Sequence, residues 1–216
     1  MIDLSNRDCM DLMADYSDNY FDLAIVDPPY GIGLDGDIKI KKPDRPSTWN
    51  KKDKYIKKSW DEEKPNPKYW SELFRISKNQ IVWGGNYFIE NLYSTKGWIF
   101  WDKMFDQTFN FSHGELAWTS FNKRLLKYTL SSKHETRGGK DRIHPTQKPV
   151  RLYEWLLTNY AKEGDKILDT HLGSGSIAIA CHNYNFDLVG CELDKDYYDQ
   201  MMVRYNNHIS QQRLFF

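Results

Sequence analysis

The chain has 216 residues, 40% apolar and 15% aromatic, with 30 Lys/Arg against 30 Asp/Glu. That length suits one α/β domain with an ample core. No apolar run approaches the roughly 20 residues of a membrane span, and MIDLSNRDCMD lacks the basic-then-apolar pattern of a signal peptide. Cys9, Cys181 and Cys191 form no C-x-x-C pair, so the sequence reads as a cytoplasmic protein with reduced thiols and no zinc site.

The neutral total hides a segregated charge. Residues 39–68 carry eleven basic against five acidic side chains, and residues 123–142 seven against two. Residues 1–37 hold nine Asp against one Arg. Such basic segments either attract a polyanion to one face or are simply solvated.

FDLAIVD (21–27) is short, apolar and β-branched, which predicts a buried strand. It ends in Asp27-Pro28-Pro29-Tyr30, two rigid residues between a carboxylate and an aromatic. Residues 34–68 carry charge and proline without periodicity and read as a mobile basic loop. PKYWSELFRIS (67–77) predicts a helix, with Trp70, Leu73, Phe74 and Ile76 largely on one side. NQIVWGG (79–85), GWIFWDK (97–103) and GELAWTSF (114–121) predict strands, and NYFIENL a helix capped by Asn86. After the insertion at 122–142, apolar residues at 150, 153, 156, 157 and 160 form a helical stripe. KILDTHLGSGSIAIACHNYNFDLVGCELD reads strand, glycine turn, helix, strand, and a last helix covers about 195–208, leaving a tail at 209–216. Strands interleaved with helices predict an α/β fold with a doubly wound, mostly parallel sheet in a single domain, 1–216.

In the glycine turn, Gly173-Ser174-Gly175 follows a strand, and Glu192 lies 19 residues after Gly173. This is the spacing at which a Rossmann-type site binds ribose hydroxyls. Ala178 replaces the third glycine of the dinucleotide fingerprint, and there is no G-K-[ST] of a P-loop. A glycine turn with an acid after the next strand favours a nucleoside-containing cofactor, although a purely structural turn also fits. The unit stands late in the chain, as in a circular permutation.

NRDC (6–9), AIVDPPYGIG (24–33), IHPTQKPVRLYEWLL (143–157), ILDTHLGSGS (167–176) and VGCELD (189–194) follow in that order. Together they resemble the β group, the permuted branch, of the N6-adenine/N4-cytosine DNA methyltransferases. The resemblance covers most of the chain and is weakest over 34–68 and 122–142. It departs from the family at His171, where an aromatic is usual, and at Ser176, where Thr is usual.

The resemblance implies a Rossmann-like methyltransferase fold, S-adenosylmethionine as cofactor, and duplex DNA as substrate with a base flipped out, as in restriction-modification systems. It implies that Asp27 and the Pro28 carbonyl hold the target amine, Pro29 stiffens the motif, and Tyr30 stacks on the base. Asp8, Lys148, Asp169, Gly173, Ser174, Gly175, Ser176 and Glu192 would bind the cofactor. Within that set Lys148 would meet its carboxylate, Asp169 its ammonium or the loop, and Glu192 its ribose. Asp8 also fits a turn residue, Thr146 with Pro149 a helix start, and His171 either a cofactor contact or a packed wall. No metal is needed. The 122–142 insertion stands at the family's target-recognition position, and its small size suggests a short target or a homodimer.

Gln211-Gln212-Arg213-Leu214-Phe215 resembles the Q-x-x-L-F peptide by which bacterial proteins dock on the sliding clamp; a tail packed on its own domain is the alternative. Asp27 favours adenine N6, because cytosine-N4 enzymes more often carry Ser there and RNA or protein amide methylases Asn. A catalytically silent DNA- or clamp-binding module is the remaining alternative.

Overall fold

The computed structural model describes residues 1–33, 58, 60–105, 112–131 and 142–212. Most of the basic loop, the centre of the 122–142 insertion, and Arg213–Phe215 of the clamp-like peptide lie outside the described residues.

The chain opens with β1 (Ile2–Ser5), α1 (Cys9–Ala14) and β2 (Leu23–Val26), followed by α2 (Pro67–Ile76) and β3 (Gln80–Trp83). A 3-10 helix, Gly85–Tyr87, leads to β4 (Trp98–Asp102), β5 (Gly114–Thr119) and β6 (Leu126–Thr129). The last part is α3 (Val150–Tyr160), β7 (Lys166–Asp169), α4 (Ser176–Asn183), β8 (Asp187–Cys191) and α5 (Lys195–Gln212). Among the described residues the strands form one eight-stranded sheet in the order β1-β8-β7-β2-β3-β5-β4-β6. β1, β8, β7, β2 and β3 run parallel, while β5 lies antiparallel to both β3 and β4.

Alternation along the central strands divides the core in two. Leu23, Ile25, Ile81, Trp83 and Ile167 pack with α3, α4 and Met201 of α5, whereas Ala24, Val26, Val82 and Leu168 pack with α1 and α2. Every residue of β2 and β3 is buried, as strands covered on both faces require. α2 begins where predicted: the Asn66 side chain accepts from the Lys68 and Tyr69 N–H groups, and Pro67 occupies the first turn. Phe74 is only half-buried, and Tyr69, which the helical reading left out, is buried instead.

Three expectations change. Residues 86–92 do not form a helix capped by Asn86; the Tyr87 and Phe88 N–H groups donate to the Gly84 and Gly85 carbonyls in a single tight turn. Phe88, fully buried against Trp70, anchors the chain there and ends the turn. β6 lies inside the segment read as an irregular insertion and pairs with β4 at the sheet edge. Thr146 does not cap α3, whose cap is Pro149; its hydroxyl bonds the His144 ring instead. In addition, α5 continues to Gln212, into the segment read as a tail.

Candidate active site

β7 leads through α4 to β8 on one side of the sheet centre, and β2 leads through α2 to β3 on the other. The chain therefore departs in opposite directions from two neighbouring parallel strands, which opens a crevice at their carboxyl ends. Four predicted acids stand along that edge. Asp8 follows β1, Glu192 follows β8, Asp169 ends β7 and Asp27 follows β2. These four strands are consecutive neighbours in the sheet.

The Asp27-Pro28-Pro29-Tyr30 loop is held from several directions. Asp27 Oδ1 accepts from the Tyr30 hydroxyl at 2.7 Å. The Tyr30 ring stacks on Tyr87, 4.9 Å between centroids, and meets the edge of Phe88. Burial, with Asp27 and Glu115 adding, raises the Tyr30 phenol well above its ordinary range, so it remains a donor. Gly84, at φ +66°, lies so close that a Cβ there would come 2.2 Å from the Tyr30 ring. Asp61, 2% exposed, accepts from the Tyr30 and Gly31 N–H groups at 2.7 and 3.0 Å. Pro28 is buried.

Lys148 is engaged by acidic side chains of the chain itself. Its buried ammonium donates to Asp27 Oδ2 and lies 3.1 Å from Glu115 Oε2. It also sits 5.3 Å from the centre of the Trp83 ring. Burial disfavours the charged lysine, but Asp27 and Glu115 outweigh it and hold the pKa above its ordinary value. Burial likewise opposes ionisation of Glu115, yet Lys148 and Lys103 outweigh it and hold its carboxyl below the usual range.

At the glycine turn the Gly173 N–H donates to Glu192 Oε2 at 2.8 Å, and Glu192 Oε1 accepts from the Asp194 N–H. Gly173 has φ +49°, and a Cβ there would meet nothing nearer than the His144 ring at 3.8 Å, so the turn is open to a close-lying ligand. Gly175 serves packing: a Cβ would come 2.3 Å from Met201. Ser174 and Ser176 are buried and their hydroxyls lie 3.2 Å apart. Ser176 donates to the Lys148 carbonyl, and Arg204 donates to Ser176 Oγ and to the Ser174 carbonyl, so these serines tie the turn to neighbouring segments. Asp8 caps α1 by accepting from the Met10 N–H.

Asp169 is 1% exposed, and burial pushes its carboxyl up to about 8; the His171 N–H opposes this, while Asp27 and Glu192 add to it. His171 and His144 are held neutral, at about 4 and about 3, chiefly by burial. A ligand bringing positive charge to Asp169 and hydroxyls to Glu192 fits this edge. Sequence reasoning missed Glu115, Lys103 and Asp61. A single acid inside the apolar strand GELAWT was a usable signal for Glu115, whereas Asp61 in a charge-rich loop offered none.

A sequence profile described as DNA methylase matches residues 41–203. The chain is 26% identical to the type II methyltransferase M.HpaI of Haemophilus parainfluenzae, over 89% of this chain and 70% of that one. It is 24% identical to the type II methyltransferase M2.MboI of Moraxella bovis, over 92% and 85%. Among solved structures it resembles M1.HpyAVI in its SAM complex, with a TM-score of 0.62 and 18% identity over 95% of this chain and all of that one. It also resembles the cytosine-N4-specific PvuII DNA methyltransferase, with a TM-score of 0.61 and 11% identity over 94% and 86%. The likeness to both is one of fold, which in this chain is a mostly parallel, Rossmann-like α/β sheet.

Proposed function

The chain belongs to the N6-adenine/N4-cytosine DNA methyltransferase family, and from that premise we propose that it methylates adenine N6 of a base flipped from duplex DNA, using S-adenosylmethionine. The observation that carries this reading is the crevice itself. Asp27 follows β2, Asp169 ends its neighbour β7 ahead of the open Gly173 turn, and Glu192 follows β8.

The cofactor supplies an electrophilic methyl on a sulfonium. Asp169 receives its ammonium, Glu192 its ribose hydroxyls, and Gly173 allows the backbone to approach. An exocyclic amine is a poor nucleophile because its lone pair is delocalised into the ring. Asp27 and the Pro28 carbonyl accept hydrogen bonds from the NH₂, holding it so that the lone pair points at the methyl. A carboxylate offers about four lone-pair sites, so Asp27 can accept from the amine while keeping Tyr30 and Lys148. Tyr30 orients the carboxylate through its hydroxyl, and its ring is the stacking face proposed for the extruded base. Lys and Arg of 34–68 and 122–142 neutralise phosphates. Clamp docking through Gln211–Phe215 rests on sequence alone.

Adenine is favoured over cytosine by Asp at position 27. Radiolabelled methyl transfer followed by nucleoside analysis separates the two, and N4-methylcytosine as the product would overturn the assignment. Asp27→Ala is expected to abolish transfer while largely keeping cofactor affinity; near-normal turnover would refute its role.

A further inference from the structure

Lys148 poses an electrostatic problem. Its side chain is 2% exposed and touches the carboxylate that is to hold the amine. A buried cation there repels both a sulfonium donor and the cationic amine formed on transfer, unless its charge is cancelled. Asp27 offsets one positive charge, but a second ammonium, Lys103, lies in the same cluster. Glu115 of β5 also reaches the Lys148 ammonium. Its Oε2 lies 3.1 Å from the Lys148 ammonium and its Oε1 pairs with Lys103. The Glu115 and Lys103 side chains are only 19% and 16% exposed, so solvent screens the group weakly. Two carboxylates and two ammoniums therefore balance.

We infer that Glu115 is a positioning residue that seats Lys148 against Asp27 and cancels its charge, so that the site accepts a sulfonium. The inference rests on the proposed donor and adds a role for Glu115 in discriminating charge. Its signature is the affinity ratio between S-adenosylmethionine, which is cationic at sulfur, and S-adenosylhomocysteine, a neutral thioether of nearly the same shape. A loss of packing weakens both ligands; a loss of charge balance weakens the sulfonium selectively.

The experiment is calorimetric titration of both ligands into the full chain and its variants, without DNA. Glu115→Gln, isosteric but uncharged, should lower the sulfonium-over-thioether ratio about tenfold, the scale of one unit charge acting across roughly 10 Å at an effective dielectric of about 20. Glu115→Asp should keep the ratio. Adding Lys103→Met to Glu115→Gln restores neutrality and should return the ratio to within about threefold of wild type, which a packing defect would not do. Lys103→Met alone should raise the ratio, and it keeps the test available if Glu115→Gln fails to fold. An unchanged ratio in Glu115→Gln, or a double variant worse than the single, overturns the inference while leaving the methyl donor intact. A wild-type chain that binds neither ligand overturns the donor itself.

Discussion

Asp169→Asn is expected to make the unliganded protein more stable while weakening its binding of the donor. Asp169 is held at about 8 rather than its ordinary 3.8, chiefly by burial. Between those values the native carboxyl keeps a proton that the unfolded chain releases. The native state therefore binds more protons, and stability falls as pH rises from about 4 to about 8, then levels off. The slope is about 1.4 kcal/mol per pH unit, which gives a cost of ~4 kcal/mol at pH 7. Asn removes that cost and keeps an acceptor for the His171 N–H, which donates to Asp169 Oδ1 at 2.9 Å. Urea unfolding of wild type and variant from pH 5 to pH 9 checks this. The advantage of Asp169→Asn should grow with pH and shift the midpoint by more than about 1 M at pH 7. A difference that stays flat with pH, or a variant less stable at pH 8, would refute the reasoning.

Gly84→Ala combines a left-handed backbone with a Cβ driven into the Tyr30 ring. It should cost about 2–4 kcal/mol of stability and displace Tyr30 enough to slow methyl transfer by about 100-fold, read from melting curves and single-turnover rates. Asp61→Ala strips the acceptor from the Tyr30 and Gly31 N–H groups in the loop after β2, so kcat should fall about 10-fold or more with donor affinity little changed. Asp61→Asn keeps one oxygen and should lie between, and equal kcat in all three proteins would remove Asp61 from the account.

The elements legible in the sequence are those whose signal is local. The uninterrupted apolar run of β2, the Asn66-Pro67 start of α2 and the Gly173–Gly175 turn each carry their own instruction, and each forms as read. The 3-10 turn at Gly85–Tyr87 was not legible, because its end is set by Phe88 entering a pocket built from distant residues. β6 was hidden because an edge strand, half exposed and carrying Lys127, lacks an apolar run. Glu192 could be named from its spacing, and Asp8, Asp27 and Asp169 from the family resemblance, but the partner of Lys148 could not. Asp27 and Glu115 reach it from β2 and β5, strands separated from it and from each other by long stretches of chain.

The permuted strand order also bears on how the protein comes off the ribosome. β2 is made early, yet one of its two neighbours, β7, is made near the end; Ala24 waits for Leu168. Until then Leu23–Val26 presents a bare apolar ladder on one side, the kind of exposed edge that recruits other chains. Closure of the sheet centre is thus a late, long-range event. The Asp27 carboxylate and the Gly173 turn come together only in that step, so a nascent fragment carrying Asp27 alone lacks the crevice between them.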